Sequence, residues 1–169
     1  MDTTSSNFLV TPQIYASKEK RFVNMIIDFV GYYIFTFLIG IILGLIALSG
    51  IEGSLDYFSN INRVEEYTLN LLIGLVYFIL LETFFQKSLG KFITKTIVVL
   101  KDGSKPGIGD IFIRSLCRYI PFDALSFLGD QGRGWHDSIS ETYVVDEVKF
   151  KIKKKTELEL DLIGKPTEE

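Results

Sequence analysis

Three residues near the start of the chain have the types and spacing to act together: Arg21, Asn24 and Asp28. They stand at i, i+3 and i+7, so a helix projects all three from one face. Arg21 and Asp28 are then two turns apart, roughly 10 Å, too far for direct pairing. Asn24 lies between them and can hydrogen-bond to either. The sequence around Asp28 is strongly apolar. An unpaired carboxylate in such surroundings takes up a proton or finds a cation. A second set, Asp110, Arg114 and Arg118, forms an i, i+4, i+8 ladder on one face of a later segment. Arg114 or Arg118 is the expected partner of Asp28. Two uses fit these charges equally: an ion or proton site on a substrate path, or a buried ion pair that docks the later segment.

The run Gly132-Arg133-Gly134-Trp135-His136-Asp137 sets a histidine beside a carboxylate. A catalytic or metal site needs more than this. No nucleophile stands at a recognisable spacing, and there is no second ligand cluster. His136 is the single histidine and Cys117 the single cysteine, so neither a disulfide within the chain nor a cysteine-based metal site is supported. The chain is therefore read as a non-enzyme with no metal and no cofactor. Asp137 is expected to pair with an arginine or to cap a helix or turn. Trp135 is expected to anchor at a membrane interface.

The elements that must hold these residues are apolar helices. Residues 29–48 carry no formal charge over twenty positions. At 1.5 Å per residue they cover roughly 30 Å, the thickness of a bilayer core. A signal peptide is the competing reading, but its apolar stretch is about half this long. A retained spanning helix over 22–48 is expected, with Asp28 in its cytoplasmic half. A second, over 67–85, is interrupted by Asn70 and by Glu82, which is close enough to the end to reach the interface. A third apolar block, 108–129, contains Asp110, Arg114, Arg118, Pro121 and Asp123. Two arginines facing lipid would cost roughly 5 to 7 kcal/mol, and Pro121 breaks a helix. A Pro-broken, membrane-associated segment is expected, with a third full span as the alternative.

Of the 169 residues, 47% are hydrophobic and 23% charged, and the net charge is −3. That total says little about partners, because charges lie between and after the apolar blocks. Lys18, Lys20 and Arg21 precede the first helix, and Lys87, Lys91, Lys95, Lys101 and Lys105 follow the second. The loop 50–66 holds Arg63 against four acids. Positive residues mark the cytoplasmic side, so both termini are expected there, in a multi-pass protein of the cell membrane. Gly40 and Gly44, with Ala47 one turn on, have the spacing that lets helices approach closely. Two or three helices cannot enclose a pathway, so any transport requires a homo-oligomer or a partner membrane protein. The bilayer is the expected surrounding; no nucleic-acid partner is expected.

The fold class is thus membrane α-helical: two transmembrane helices, a Pro-broken third segment and a small cytoplasmic antiparallel β-sheet. Residues 96–100 and 142–145 are short β-branched runs, and Lys101-Asp102-Gly103 is a turn signal. Residues 148–152 and 158–162 both alternate with period two, which predicts a hairpin turning at Lys154-Lys155-Thr156. Residues 1–14 and those after 164 are expected to be disordered. The division is therefore 1–14, a membrane domain 15–145 and a hairpin tail 146–169.

Taken in order, the motifs are Arg21, Asp28, Ser88-Leu89-Gly90-Lys91, Ile97-Val98-Val99, Asp102-Gly103, Arg114, His136-Asp137 and Thr142-Tyr143-Val144-Val145. Over residues 16–145 this resembles the RDD family of membrane proteins, named for one arginine and two aspartates. The resemblance implies that Arg21, Asp28 and Asp137 are the signature residues. It also implies transport of a ligand, cations or protons among the candidates. A non-transporting scaffold or regulator that binds a partner protein is the alternative.

Overall fold

The computed structural model describes residues 8–49, 60–126, 129 and 133–163. Helix α1 spans Lys18–Leu48, with the Ser17 side chain accepting from the Lys20 N–H at its start. Helix α2 spans Arg63–Phe85 and opens with a capping box, Asn62 and Glu65 each bonding the other's backbone N–H. It stops at Gln86, whose left-handed backbone (φ 57°) turns the chain out of the helix. Both helices are long and apolar enough to cross a membrane. Much of their apolar surface is uncovered: Phe37 is 68% exposed and Phe84 69%. An aqueous protein does not leave so large a patch bare, and the two helices point to a membrane protein.

The third segment is broken as the proline requires. Helix α4, Ile108–Cys117, ends at Arg118; the chain turns through Pro121 and Phe122 (φ 66°) into the short α5, Asp123–Ser126. Ten residues of α4 cover about 15 Å, half a bilayer core. Between α2 and α4 come helix α3, Leu89–Thr94, and strand β1, Thr96–Leu100. After α5 come α6, Trp135–Ile139, strand β2, Thr142–Asp146, and helix α7, Glu147–Ile163. The strands pair antiparallel, Val98 opposite Val144. The turn signal after β1 is used: Gly103 takes φ 73°, with the Phe8 ring packed where a Cβ would stand.

Two expectations fail here. The tail is no hairpin but the single helix α7. Its lysines and acids meet along the helix at i, i+4, as in Lys151–Glu147 and Lys153–Glu157. Asp146 accepts from the Val148 and Lys149 N–H groups and so caps its first turn. Period-two alternation lost to helix-favouring Lys, Glu and Leu, in a run without a hairpin turn residue. Nor is the N-terminal segment disordered where it is described. Phe8, Val10 and Ile14 are buried with Ile97, Val99, Val145 and Phe150. Phe8, Val10 and Ile14 close the core that the two strands and α7 begin. Residues 1–7 and 165–169, also expected to be disordered, lie outside the described residues.

Candidate functional site

The charged residues converge where α1 starts and α2 ends. Helix α1 lies chiefly on α3, and α2 on α4. One glycine makes the first contact possible. A Cβ on Gly90 would stand 2.5 Å from the Asn24 carbonyl oxygen, so α3 meets α1 at backbone distance. This approach carries the Gly90 N–H to Asp28 Oδ1 at 2.7 Å, and the Ser88 hydroxyl donates to Asp28 Oδ2 at 2.5 Å. The nearest cation to Asp28 is Lys91, its Nζ 4.0 Å away. Neither Arg114 nor Arg118 is its partner, contrary to expectation. Two neutral donors from α3 supply most of what the buried carboxylate needs.

The arginines have other acceptors. Arg114, 1% exposed, donates from Nε to Glu82 (3.0 Å) and from its terminal nitrogen to Asp137 and to Thr142 Oγ1 (2.8 Å). One planar guanidinium thus ties α2, α6 and β2 together. Arg118 donates to Glu82 at 2.7 Å and lies 4.3 Å over the Phe78 ring. Arg21 does not wait on Asp28 through Asn24; it donates to Asp137, 116 residues later. Asn24 turns instead to α3 and β1. With its amide oriented to satisfy both ends, the nitrogen donates to Gly90 O (2.9 Å) and Thr94 Oγ1, and the oxygen accepts from Thr96 Oγ1 (3.0 Å).

Glu82 is the largest departure from the sequence reading. It does not reach toward an interface; it is 0% exposed and is shared by Lys91, Arg114 and Arg118. Asp137 is equally buried; besides its arginines it accepts from the Gly134 N–H, which caps α6. Both roles expected of it, pairing and capping, occur together. His136 is held by Asp123, which accepts from its backbone N–H (2.8 Å) and from Nδ1 (2.5 Å). Burial pushes the imidazole down to about 4, against the pull of Asp137 and with help from Arg114. It is therefore neutral at pH 7. Asp137 pays a burial penalty too, but Arg114, His136 and Arg21 hold its carboxyl well below the usual range.

Asp110 belongs elsewhere, capping its own helix at the Gly107 N–H (2.9 Å). Gly40 and Gly44 have nothing within 4 Å of where a Cβ would stand, so no described part of this chain packs on them. Trp135, on α6, is 48% exposed. Sequence reasoning missed Glu82, Ser88, Gly90, Lys91 and Asp123 as members of the site. The signal for Glu82 was available: a carboxylate in an apolar helix is as costly as Asp28 and needs a named partner. Two arginines in the third segment also required two acceptors.

Four cations and four carboxylates therefore meet: Arg21, Lys91, Arg114 and Arg118 with Asp28, Glu82, Asp123 and Asp137. With His136 neutral the charges balance. Beside them lies a cavity of about 220 Å³, lined by Asp28, Lys91, Arg118 and His136 and by the apolar Met25, Phe29 and Phe78. No group of three or more His, Cys, Asp or Glu side chains among the described residues is arranged to hold a metal ion. The network can fix the elements in place and offer a small polar ligand fixed charges and hydrogen bonds. The RDD family model matches residues 15–144. Comparison with curated proteins finds no match, and comparison with solved structures finds none.

Proposed function

The chain belongs to the RDD family, a membrane-associated family, and from that premise we propose that it is a component of ion or small-ligand transport, working as an oligomer. The observation that carries this reading is the cavity of about 220 Å³ beside a charge-balanced network, at one end of two apolar helices. A purely structural ion pair needs no adjoining space. Asp28 is the residue we assign to ion handling. It lines the cavity, its Lys91 neighbour stands 4.0 Å off rather than in contact, and its hydrogen-bond donors are neutral. Cation–proton exchange is the narrowest form of the reading. The lysine-rich side faces the cytoplasm, with both ends of the chain there. The N-terminal segment supports this, since Val10 and Ala16 donate to Lys101 and Val144, beyond the second apolar helix. We assign the cell membrane and no enzymatic activity.

The test is reconstitution in vesicles with a trapped pH-sensitive dye, followed as Na⁺, K⁺ or Li⁺ is added. The wild type is expected to move protons with at least one cation, and Asp28→Asn to move none. An equal response from the two proteins, or none from the wild type, would sink the exchange reading. A second reading, a scaffold or regulator for a partner protein, is favoured by α7, where Leu158, Leu160 and Leu162 are 49%, 61% and 64% exposed. It requires that crosslinking capture a stoichiometric partner and that deleting 147–169 abolish capture.

A further inference from the structure

The cavity is lined unevenly. Arg21, Lys91, Arg114 and Arg118 reach its wall, whereas Glu82 and Asp137 stand behind them. The carboxylates on the wall are already engaged: Asp28 accepts from Ser88 and Gly90, and Asp123 from the backbone and ring of His136. Arg118 is the cation least covered: its side chain is 18% exposed, against 6% for Arg21, 4% for Lys91 and 1% for Arg114. Met25, Phe29 and Phe78 also line the cavity, and Phe29 is 60% exposed. The wall thus runs from fixed cations onto the bare apolar surface of α1. Arg21 stands in the first turn of α1 and Asp28 about two turns further in, the depth at which headgroups give way to acyl chains. Basic pockets between spanning helices on the cytoplasmic side suit anionic headgroups.

We propose that this cavity binds the phosphate headgroup of an anionic phospholipid, with its acyl chains against the apolar rim at Phe29. The volume is roughly that of seven waters, room for a phosphodiester. The partly exposed guanidinium of Arg118 is the cation that the phosphate meets, while its contact with the Phe78 ring keeps it in place. The inference rests on the membrane placement above and not on transport. Binding in detergent and ion flux in vesicles therefore succeed or fail separately.

The experiment is native mass spectrometry of the full chain in a neutral detergent, with phosphatidylglycerol, phosphatidylcholine or glycerol 3-phosphate added singly. Phosphatidylglycerol is expected to be retained at least about fivefold better than phosphatidylcholine, and glycerol 3-phosphate not at all. Arg118→Gln should weaken retention of phosphatidylglycerol about fivefold, the worth of one cation. Lys155→Gln, a change at a side chain 78% exposed on α7, should leave it unchanged. Equal retention of the two lipids overturns the proposal, and so does an Arg118→Gln protein that retains phosphatidylglycerol as the wild type does. Glycerol 3-phosphate bound as tightly as the lipid also overturns it, since the site would then read a soluble phosphate. The wild-type comparison of lipids decides the matter even where Arg118→Gln fails to fold.

Discussion

Around Arg114 and along α7 the chain sets basic side chains against acidic ones, but the two regions surround them differently. Toward the end of α7 the pairing is local and wet. Lys155 and Glu159, one turn apart, are 78% and 58% exposed. Around Arg114 the pairs join distant parts of the chain and are dry: Arg114, Glu82 and Asp137 are at most 1% exposed. A wet pair competes with water and fixes little beyond its own helix turn. A dry network has no such competitor, so each member becomes indispensable once the others are buried. The charges thus shape one helix in the first region and hold α1, α2, α4 and α6 in register in the second.

The comparison is broken most directly at Asp137. Asp137→Asn keeps the shape but leaves Arg21 and Arg114 buried against a neutral amide in place of a carboxylate. A loss on the order of 3 to 5 kcal/mol is expected, read as a lowered midpoint of denaturant unfolding in detergent. Arg114→Lys should fall short of rescue, because one ammonium cannot span Glu82, Asp137 and Thr142 as the guanidinium does. If Asp137→Asn cost no more than a change on α7, burial would not be what separates the two regions.

Acid tests the same difference without mutation. His136 is held down to about 4 in the folded protein, against 6.5 for a free side chain. The unfolded chain therefore binds the proton first as pH falls. Stability is complete above pH 6.5, declines between 6.5 and 4, and by then has lost up to roughly 3 kcal/mol. Asp137 stays ionised through this window, since its carboxyl is held well below the usual range. Unfolding midpoints measured from pH 7.5 to 4 should show the slope, and His136→Gln, which can still donate to Asp123, should flatten it. A flat wild-type profile would place His136 in water.

Much of the fold was legible in the sequence because bilayer-length apolar runs, β-branched pairs of strands and a proline leave strong local marks. The helices containing 29–48 and 67–85, the strands at 96–100 and 142–145 and the break near Pro121 all rest on such marks. The pairing within the site was not legible. Helical spacing says which side chains share a face, as with Arg21, Asn24 and Asp28, but not which distant element that face meets. Asp28 found Ser88 and Gly90 because glycine lets α3 come close, a fact about packing and not about charge. The tail failed for the opposite reason. The runs 148–152 and 158–162 have period two, yet the lysines and acids from 147 to 159 also pair at i, i+4; helix-favouring residues, the missing turn residue and the Asp146 cap decide between them.

Gly90 lies on the buried side of the divide with no charge of its own. Gly90→Ala forces a methyl group to within 2.5 Å of the Asn24 carbonyl, so α3 must withdraw from α1. Overpacking of this kind costs about 1 to 3 kcal/mol. The withdrawal also lengthens the hydrogen bond from the Gly90 N–H to Asp28; under the proposed exchange function, a dye assay in vesicles should then register altered proton movement. Gly40→Ala, at a position with open space around it, serves as the control and should change stability within the chain little.

The smallest effect is expected on α7. Lys155→Ala removes a partner 3.7 Å from Glu159 in full view of water. Its cost should be below about 0.5 kcal/mol and should fade as salt is raised, because exposed pairs are screened within a Debye length. Lys153 sharpens the point, being on the same helix but only 23% exposed at its side chain. It donates to the Leu9 carbonyl at 2.5 Å and lies 5.3 Å over the Phe8 ring, so it reaches back to the N-terminal segment. Lys153→Ala should therefore cost more than Lys155→Ala and respond less to salt, measured by thermal unfolding at low and high ionic strength. Should the two lysines behave alike, exposure along α7 would not set the worth of a charge, and the contrast with Arg114 would need another cause.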